Sequence, residues 1–104
     1  MTGFPVITRV LAANRGEIAR RIFATCRESG IGCVAVFSDP DAGAPHAAEA
    51  DAAVRLPGSS PADTYLNGPA IVAAATAAGA DGINSIVSSW RYIIYITHRV
   101  HIPN

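Results

Sequence analysis

The chain has 104 residues, half of them apolar, which is enough for one small domain with a real core and too few for two. Eight basic residues balance eight acidic ones, so the charge gives no reason to expect nucleic acid or a membrane surface as a partner. All eight basic residues are arginines, which excludes the lysine of a P-loop, of a Schiff base or of a biotin acceptor site from this chain.

The first predicted elements form a β-α-β unit. The near-continuous apolar run 8–14 predicts a strand covered on both faces, as in a parallel sheet. Residues 17–29 predict a helix that ends at Gly30, and 33–38 predict a second buried strand. A connection of this length favours a right-handed parallel crossover.

The helix over 17–29 has an apolar stripe that predicts which face it buries. Ile18, Ile22 and Cys26 recur every four residues, and Phe23 and Ala19 widen the stripe. We expect Cys26, together with Cys33 of the second strand, to be a buried reduced thiol that packs as a small apolar residue.

The second half of the pattern continues the alternation of strands and helices. It predicts a loop over 39–51 with a short helical turn at 46–50, a strand at 52–57, a helix at 64–79 capped by Asn67 or Gly68, and a strand at 82–87. This order indicates an α/β fold of the Rossmann-like layered type, with a short parallel sheet flanked by helices.

The composition changes after about residue 84. The segment RYIIYITHRV alternates apolar positions and predicts a strand, yet it has no clear place in a doubly wound plan. We therefore expect a domain over 1–83 and a divergent tail over 84–104.

The turn ANRGEIA is the first candidate ligand site, because α/β folds bind ligands beyond the carboxyl ends of their strands. Asn14, Arg15, Gly16 and Glu17 are the residues placed there. A dinucleotide turn needs three glycines where this one has Gly16 alone, and Glu17 would repel a phosphate. Asp39 occupies the position of a ribose-binding acid, but it also suits the start of a turn. The simpler interpretation is a tight turn at Gly16 and a solvated Arg15.

The remaining polar residues give weaker signals. His46 stands alone and is expected to be a surface or turn-stabilising histidine, and His98 and His101 have a spacing that suits a metal only on a helix. No spacing supports a Ser-His-Asp or Cys-His arrangement. Four acids are expected to form a solvated acidic loop: Asp39, Asp41, Glu49 and Asp51.

Targeting signals are not apparent in the sequence. The N-terminus has no basic region followed by a long apolar run, and the uncharged stretch 64–80 is interrupted by Asn67, Gly68 and Pro69. We expect a buried helix there, no membrane span and a cytoplasmic location.

The stretch RVLAANRGEIARRIFATCRESGIGCVAVFSDPDAGAPHAAEADAAVRLPG, followed by ADTYLNGPAIVAAATAAGAD, resembles the N-terminus of biotin carboxylases. The resemblance covers about residues 7–82, rests on ANRGEIA, AEAD and YLNxP, and is strongest to alpha subunits of acetyl-/propionyl-CoA carboxylases. It implies a Rossmann-like domain that precedes an ATP-grasp module, in an enzyme that carboxylates biotin with ATP and bicarbonate. ATP, Mg²⁺ and biotin would be bound mostly by later parts, so the resemblance implies no catalytic or metal residue here. ANRGEIA would then begin the fold rather than hold ATP.

The chain departs from the family after Ile83, where NSIVSSWRY stands in place of a stretch like HPGYGFLSEN. We expect a truncated or frame-shifted product that is inactive alone, with apolar sheet edges that invite self-association. The resemblance also places Arg21 and Glu28 at a dimer contact, in a homodimer or with carboxylase subunits. The alternative for these two residues is ordinary surface charge, with Glu17 and Arg21 as an i,i+4 pair. Two other functions stay open: a stand-alone interaction module, and a degenerate nucleotide-binding domain that uses the Asn14–Glu17 turn.

Overall fold

The computed structural model describes residues 7–87, 90–96 and 100–101, and the side chains of residues 7–84. Its strands form one sheet in the order β3-β2-β1-β4-β5-β6. The strands are β1 (Arg9–Ala12), β2 (Gly32–Phe37), β3 (Ala52–Arg55), β4 (Gly82–Val87), β5 (Trp90–Ile96) and β6 (Val100–His101). The first four are parallel, whereas β5 runs antiparallel to β4 and β6 antiparallel to β5.

Helices cover both faces of the parallel strands, which confirms the predicted α/β fold. They are α1 (Gly16–Glu28), α2 (Pro45–Glu49) and α3 (Gly68–Ala77), with short 3-10 turns at Asp39–Asp41 and Pro61–Asp63. One core cluster joins α1 to Ala12, Cys33 and Ala35, and the other joins α3 to alternate residues such as Leu11 and Val34. The alternation of side chains along each strand therefore separates the core into two layers. Among the described residues, no helix is long and apolar enough to cross a bilayer.

The third helix is shorter than the 64–79 predicted from the sequence. It begins at Gly68 because the Asn67 side chain caps it, accepting a hydrogen bond from the Ala70 N–H at 3.2 Å. The preceding residues instead form a 3-10 turn, in which the Ser60 side chain accepts from the Asp63 N–H at 3.2 Å. Of the two predicted caps, Asn67 is the one used.

The apolar stripe of α1 is rotated from the one predicted. The structure buries Ala19, Phe23 and Cys26, whereas Ile18 is 50% exposed. Ala19 is small enough to let the helix approach the sheet, and Phe23, with no exposed surface, fills the space beside it. Burial of Cys26 and Cys33 is confirmed, and that burial is the main cause that raises the pKa of both thiols.

The sheet continues beyond residue 83. Strand β4 spans residues on both sides of the boundary that the composition suggested, and the predicted strand in RYIIYITHRV appears as β5. It pairs with the outer side of β4 as an antiparallel strand, which a doubly wound plan does not anticipate. His98 lies outside the described residues.

Asp81 ties the amino ends of β1 and β4 together. Its carboxylate accepts hydrogen bonds from the Thr8 N–H, the Thr8 hydroxyl at 2.8 Å and the Arg9 N–H at 2.9 Å. Burial favours the neutral acid, but these bonds outweigh it and hold the pKa of Asp81 below its ordinary value of 3.8.

An Asp81→Asn variant should lose about 1 kcal/mol of stability at neutral pH, because the amide has one acceptor oxygen and no charge. A folded-state pKa below the unfolded one stabilises the fold above pH 3.8, and this contribution is lost as the pH falls through the lowered value. The gap between wild type and variant in urea unfolding should therefore close below that pH. A gap that stays constant down to pH 2 would contradict the assignment.

Candidate functional site

The turn between β1 and α1 lies at the carboxyl edge of the sheet, as predicted. Gly16 has φ +63°, a left-handed conformation, and an added Cβ would meet nothing within 4 Å. Backbone conformation, rather than space, is therefore what requires glycine there. Asn14 is buried and its neighbour Ala13 donates its N–H to the Asn84 carbonyl at 2.9 Å, which ties the turn to the end of β4.

Arg15 is an exposed side chain that also belongs to a connected polar cluster. Its guanidinium contacts Asp41 at 3.0 Å and lies 5.4 Å from the centre of the Tyr65 ring. The Tyr65 hydroxyl donates to the Asp41 carboxylate at 2.6 Å and accepts from the Ser38 N–H at 3.0 Å. The hydrogen bond from Tyr65 lowers the pKa of Asp41, and Arg15 lowers it further against the effect of burial. Three separate loops are thereby joined. Arg15 is exposed, as the simpler interpretation predicted, with 57% of its side-chain surface accessible, and it also pairs with Asp41.

Of the four acids predicted to form a solvated loop, three are exposed as predicted (Asp39, Glu49 and Asp51) and Asp41 is half-buried. Each of the four also has a defined partner, which the prediction did not include. Asp39 takes two hydrogen bonds from Arg55, at 2.7 and 3.2 Å, and these lower its pKa. Glu49 pairs with Arg20 at 2.9 Å. Asp51 accepts the Cys33 N–H at 2.8 Å, while Asp41 belongs to the cluster described above. These acids hold the loops at both ends of β2 and β3 in place.

His46 is buried, with 1% of its surface exposed, and is not a surface histidine. Its Nε2 lies 3.0 Å from the Val36 carbonyl oxygen, and because a carbonyl can only accept, Nε2 carries the proton. The side chain thus fixes α2 against β2, which agrees with the turn-stabilising half of the prediction.

A small cleft opens beside the Gly16 turn. Its volume is about 220 Å³, and its charged lining comprises Arg15, Arg20, Glu17 and Asp41. Both arginines contact carboxylates, and Glu17 and Asp41 place negative charge beside any phosphate. Ligand pockets usually measure about 300–1,000 Å³. This cleft and its lining therefore do not fit a nucleoside triphosphate or the magnesium ion that accompanies it. Among the side chains described, no group of three His, Cys, Asp or Glu residues has metal-binding geometry.

Arg21 and Glu28, the two candidate interface residues, lie outside this cleft. Both are exposed on α1, and the Arg21 side chain keeps 79% of its surface accessible. Its Nε contacts the Glu17 carboxylate at 3.3 Å, which is the i,i+4 pair seen in the sequence.

A second cavity was missed by sequence reasoning. It is an apolar groove of about 390 Å³ on the α1 face of the sheet, between α1 and β4. The sequence signal nearest to it is Gly82, which pairs with the lining residue Val10 once the register is known. Strand β4 therefore has no side chain opposite Val10, and carbon atoms of Ile7 lie 3.5 Å from where a Cβ on Gly82 would stand. The groove is lined by Ile7, Val10, Arg21, Ile22, Thr25, Cys26, Ile31, Ile83 and Asn84.

Comparison with known proteins agrees with the resemblance seen in the sequence. The family model described as "Biotin carboxylase, N-terminal domain" matches residues 6–85. The alpha subunit of mitochondrial methylcrotonoyl-CoA carboxylase from Oryza sativa is 54% identical over 75% of this chain and 11% of its own length. Biotin carboxylase from Haemophilus influenzae is 46% identical over 76% of this chain and 18% of its own length.

Solved structures show the same relationship in three dimensions. A biotin carboxylase from Campylobacter jejuni, solved as a complex named for β,γ-ATP, superimposes with a TM-score of 0.74 and 40% identity. The match covers 80% of this chain and 19% of that one, so the chain spans only a small part of the relatives it matches. Over residues 6–85, the chain belongs to the family of biotin carboxylase N-terminal domains.

Proposed function

We propose that this chain is the opening module of a biotin carboxylase in an acyl-CoA carboxylase. In that enzyme it would have a structural role, and the whole protein would carry out the ATP- and bicarbonate-dependent carboxylation of biotin. The observation that carries the proposal is the family match over residues 6–85, supported by relatives named as biotin carboxylase and as a carboxylase alpha subunit.

The module alone would be inactive. The chain has no lysine, and the two arginines of the 220 Å³ cleft already contact Asp41 and Glu49. Phosphoryl transfer needs free cationic groups or metal ions aimed at the developing charge. The Asn14–Glu17 turn would therefore set the path of the chain into α1, and its residues would act by shaping the fold.

The expected partners are other carboxylase subunits or a second copy of the chain, with Arg21 and Glu28 at the contact. Two free buried thiols suit a reducing compartment, which supports a cytoplasmic setting.

A domain replacement tests the proposal. Residues 6–85 of this chain would replace the matched segment of a Bacillus subtilis biotin carboxylase, which is 46% identical over 79 residues. The chimera should keep biotin-dependent ATP turnover in the presence of bicarbonate, within about tenfold of the parent, because the substituted segment supplies no reacting group. The isolated chain should show no turnover above buffer.

A binding measurement on the isolated chain tests the alternative of a nucleotide-binding domain. Calorimetric titration of the isolated chain with Mg-ATP should give no binding heat. Binding that disappears in an Arg15→Ala variant, with unchanged circular dichroism, would favour the nucleotide-binding domain instead. A folded chimera that lacks all turnover, or an isolated chain that hydrolyses ATP, would overturn the proposal.

A further inference from the structure

The buried His46 has one ring nitrogen that the fold uses and one that it does not. Its Nε2 donates to the Val36 carbonyl at 3.0 Å, whereas Nδ1 has no hydrogen-bond partner among the described residues. The residue is 1% exposed, yet no fully enclosed side-chain nitrogen or oxygen in that part of the chain lacks a partner. Nδ1 therefore reaches accessible surface, and the cleft beside the Gly16 turn is the cavity that His46 lines. With the proton on Nε2, the Nδ1 lone pair accepts a hydrogen bond from a ligand in the cleft.

The same cleft borders the N-terminus of α1, which has no side-chain cap. The N–H groups of Gly16, Glu17 and Ile18 have no carbonyl to pair with inside the helix, and they have no other partner among the described residues. Nothing lies within 4 Å of where a Cβ on Gly16 would stand, so the backbone is open there. The N-terminus of a helix attracts the oxygens of a carboxylate or another anion.

The charged side chains of the cleft favour a ligand with a single negative charge. Arg15 donates one hydrogen bond to Asp41, at 3.0 Å, and a guanidinium has five N–H donors, so Arg15 has donors left for a ligand. Asp41 is paired with Arg15 and with the Tyr65 hydroxyl. The Glu17 carboxylate contacts Arg21 at 3.3 Å. The two acids would repel a polyanion, whereas one carboxylate is matched by Arg15 and the helix N-terminus.

The size of the cleft limits the ligand to a few atoms. Its volume is about 220 Å³, and a water molecule occupies about 30 Å³ in the liquid, so the cleft has room for about seven waters. The ligand needs an anionic group for the helix N-terminus and an O–H donor for Nδ1 of His46. A carboxylate and a hydroxyl on adjacent carbon atoms provide both groups within this volume.

We propose that the cleft between the Gly16 turn and His46 binds a small hydroxycarboxylate. Its carboxylate accepts hydrogen bonds from the N–H groups at the start of α1 and from Arg15, and its hydroxyl donates to Nδ1 of His46. This site goes beyond the carboxylase role, which rests on the family match. Because the test measures binding and not turnover, its failure would leave that role untouched.

Glycolate and acetate are the probes, since they share the carboxylate and only glycolate has the hydroxyl. Glycolate should bind the full wild-type chain with a Kd of about 1 mM, as expected for so small a ligand. In NMR spectra it should shift the amide resonances of Gly16, Glu17 and Ile18 and the Nδ1 resonance of His46. Acetate should bind about fivefold more weakly, because it lacks one hydrogen bond, and should leave the Nδ1 resonance nearly unchanged.

Two arginine variants separate this cleft from general attraction of anions. Arg15→Ala should weaken glycolate binding about tenfold, since it removes a charge-assisted hydrogen bond. Arg55→Ala is the matched control and should leave binding unchanged, because Arg55 also pairs with an aspartate, Asp39 at 2.7 Å, but does not line the cleft.

The comparison of glycolate with acetate uses the wild-type chain, so it decides the proposal even where a variant does not fold. The proposal is overturned if glycolate at about ten times the expected Kd shifts none of these resonances. Equal affinity for the two probes overturns it as well, and so does equal weakening by Arg15→Ala and Arg55→Ala.

Discussion

Replacing Phe23 with alanine should lower the free energy of unfolding by about 4 kcal/mol, the largest single-residue effect that we expect in this chain. The Phe23 side chain has no exposed surface and is the largest fully buried side chain of the cluster that joins α1 to the sheet. Its neighbours Ala19, Ala12 and Ala35 are too small to close the cavity that the substitution leaves. A domain of this length has a total stability of about 5–15 kcal/mol, so the variant should be close to unfolded.

Urea denaturation followed by circular dichroism measures this loss as a shift in the midpoint at constant slope. Ile18→Ala on the same helix is the matched control, because Ile18 is 50% exposed and should lose less than about 1 kcal/mol. Equal losses in the two variants would mean that α1 buries the stripe predicted from the sequence rather than the one in the structure.

Tyr65→Phe should cost about 2 kcal/mol, the second largest effect. The substitution keeps the ring, which is 7% exposed, and removes only the hydroxyl. That hydroxyl donates to Asp41 at 2.6 Å and accepts from the Ser38 N–H at 3.0 Å, so both partners lose a bond in a mostly buried setting. Leaving buried polar groups unpaired costs more than an average hydrogen bond contributes.

A double-mutant cycle with Asp41→Asn measures how much of this loss belongs to the pair. The two changes should be non-additive by at least about 0.5 kcal/mol, because the residues share one hydrogen bond and one cluster. As a control, Thr76→Val removes an exposed hydroxyl that donates to the Val72 carbonyl at 2.9 Å within α3, and it should be nearly neutral. Additive losses for Tyr65→Phe and Asp41→Asn would show that the cluster does not act as a unit.

The sequence predicts the backbone plan of this protein better than its side-chain contacts. Strand β4 was predicted at its observed bounds, and the β-α-β start is correct, because long apolar runs and glycine ends are local signals. The start of α3 was predicted at residue 64, too early, because the side-chain caps of Ser60 and Asn67 place it at Gly68.

Contacts between loops are the part that local patterns miss. Asp41 lies 26 residues from Arg15 and 24 from Tyr65 in sequence, so no spacing rule connects them. The choice of Phe23 over Ile18 for the core likewise depends on how closely Ala19 lets α1 approach the sheet. The groove between α1 and β4 depends on the strand register, which is known only once β4 is paired with β1.

Buried thiols lie on both sides of the contact between α1 and the sheet, and thiol labelling can therefore measure local opening of this domain. Cys26 belongs to the helix and Cys33 to the strand beneath it, with 6% and 2% of their surfaces exposed, and burial raises the pKa of both thiols. Only a thiolate that solvent can reach is alkylated at an appreciable rate. Iodoacetamide labelling of Cys33, which does not line the groove, therefore proceeds through the open state, and its rate reports how often the helix separates from the sheet.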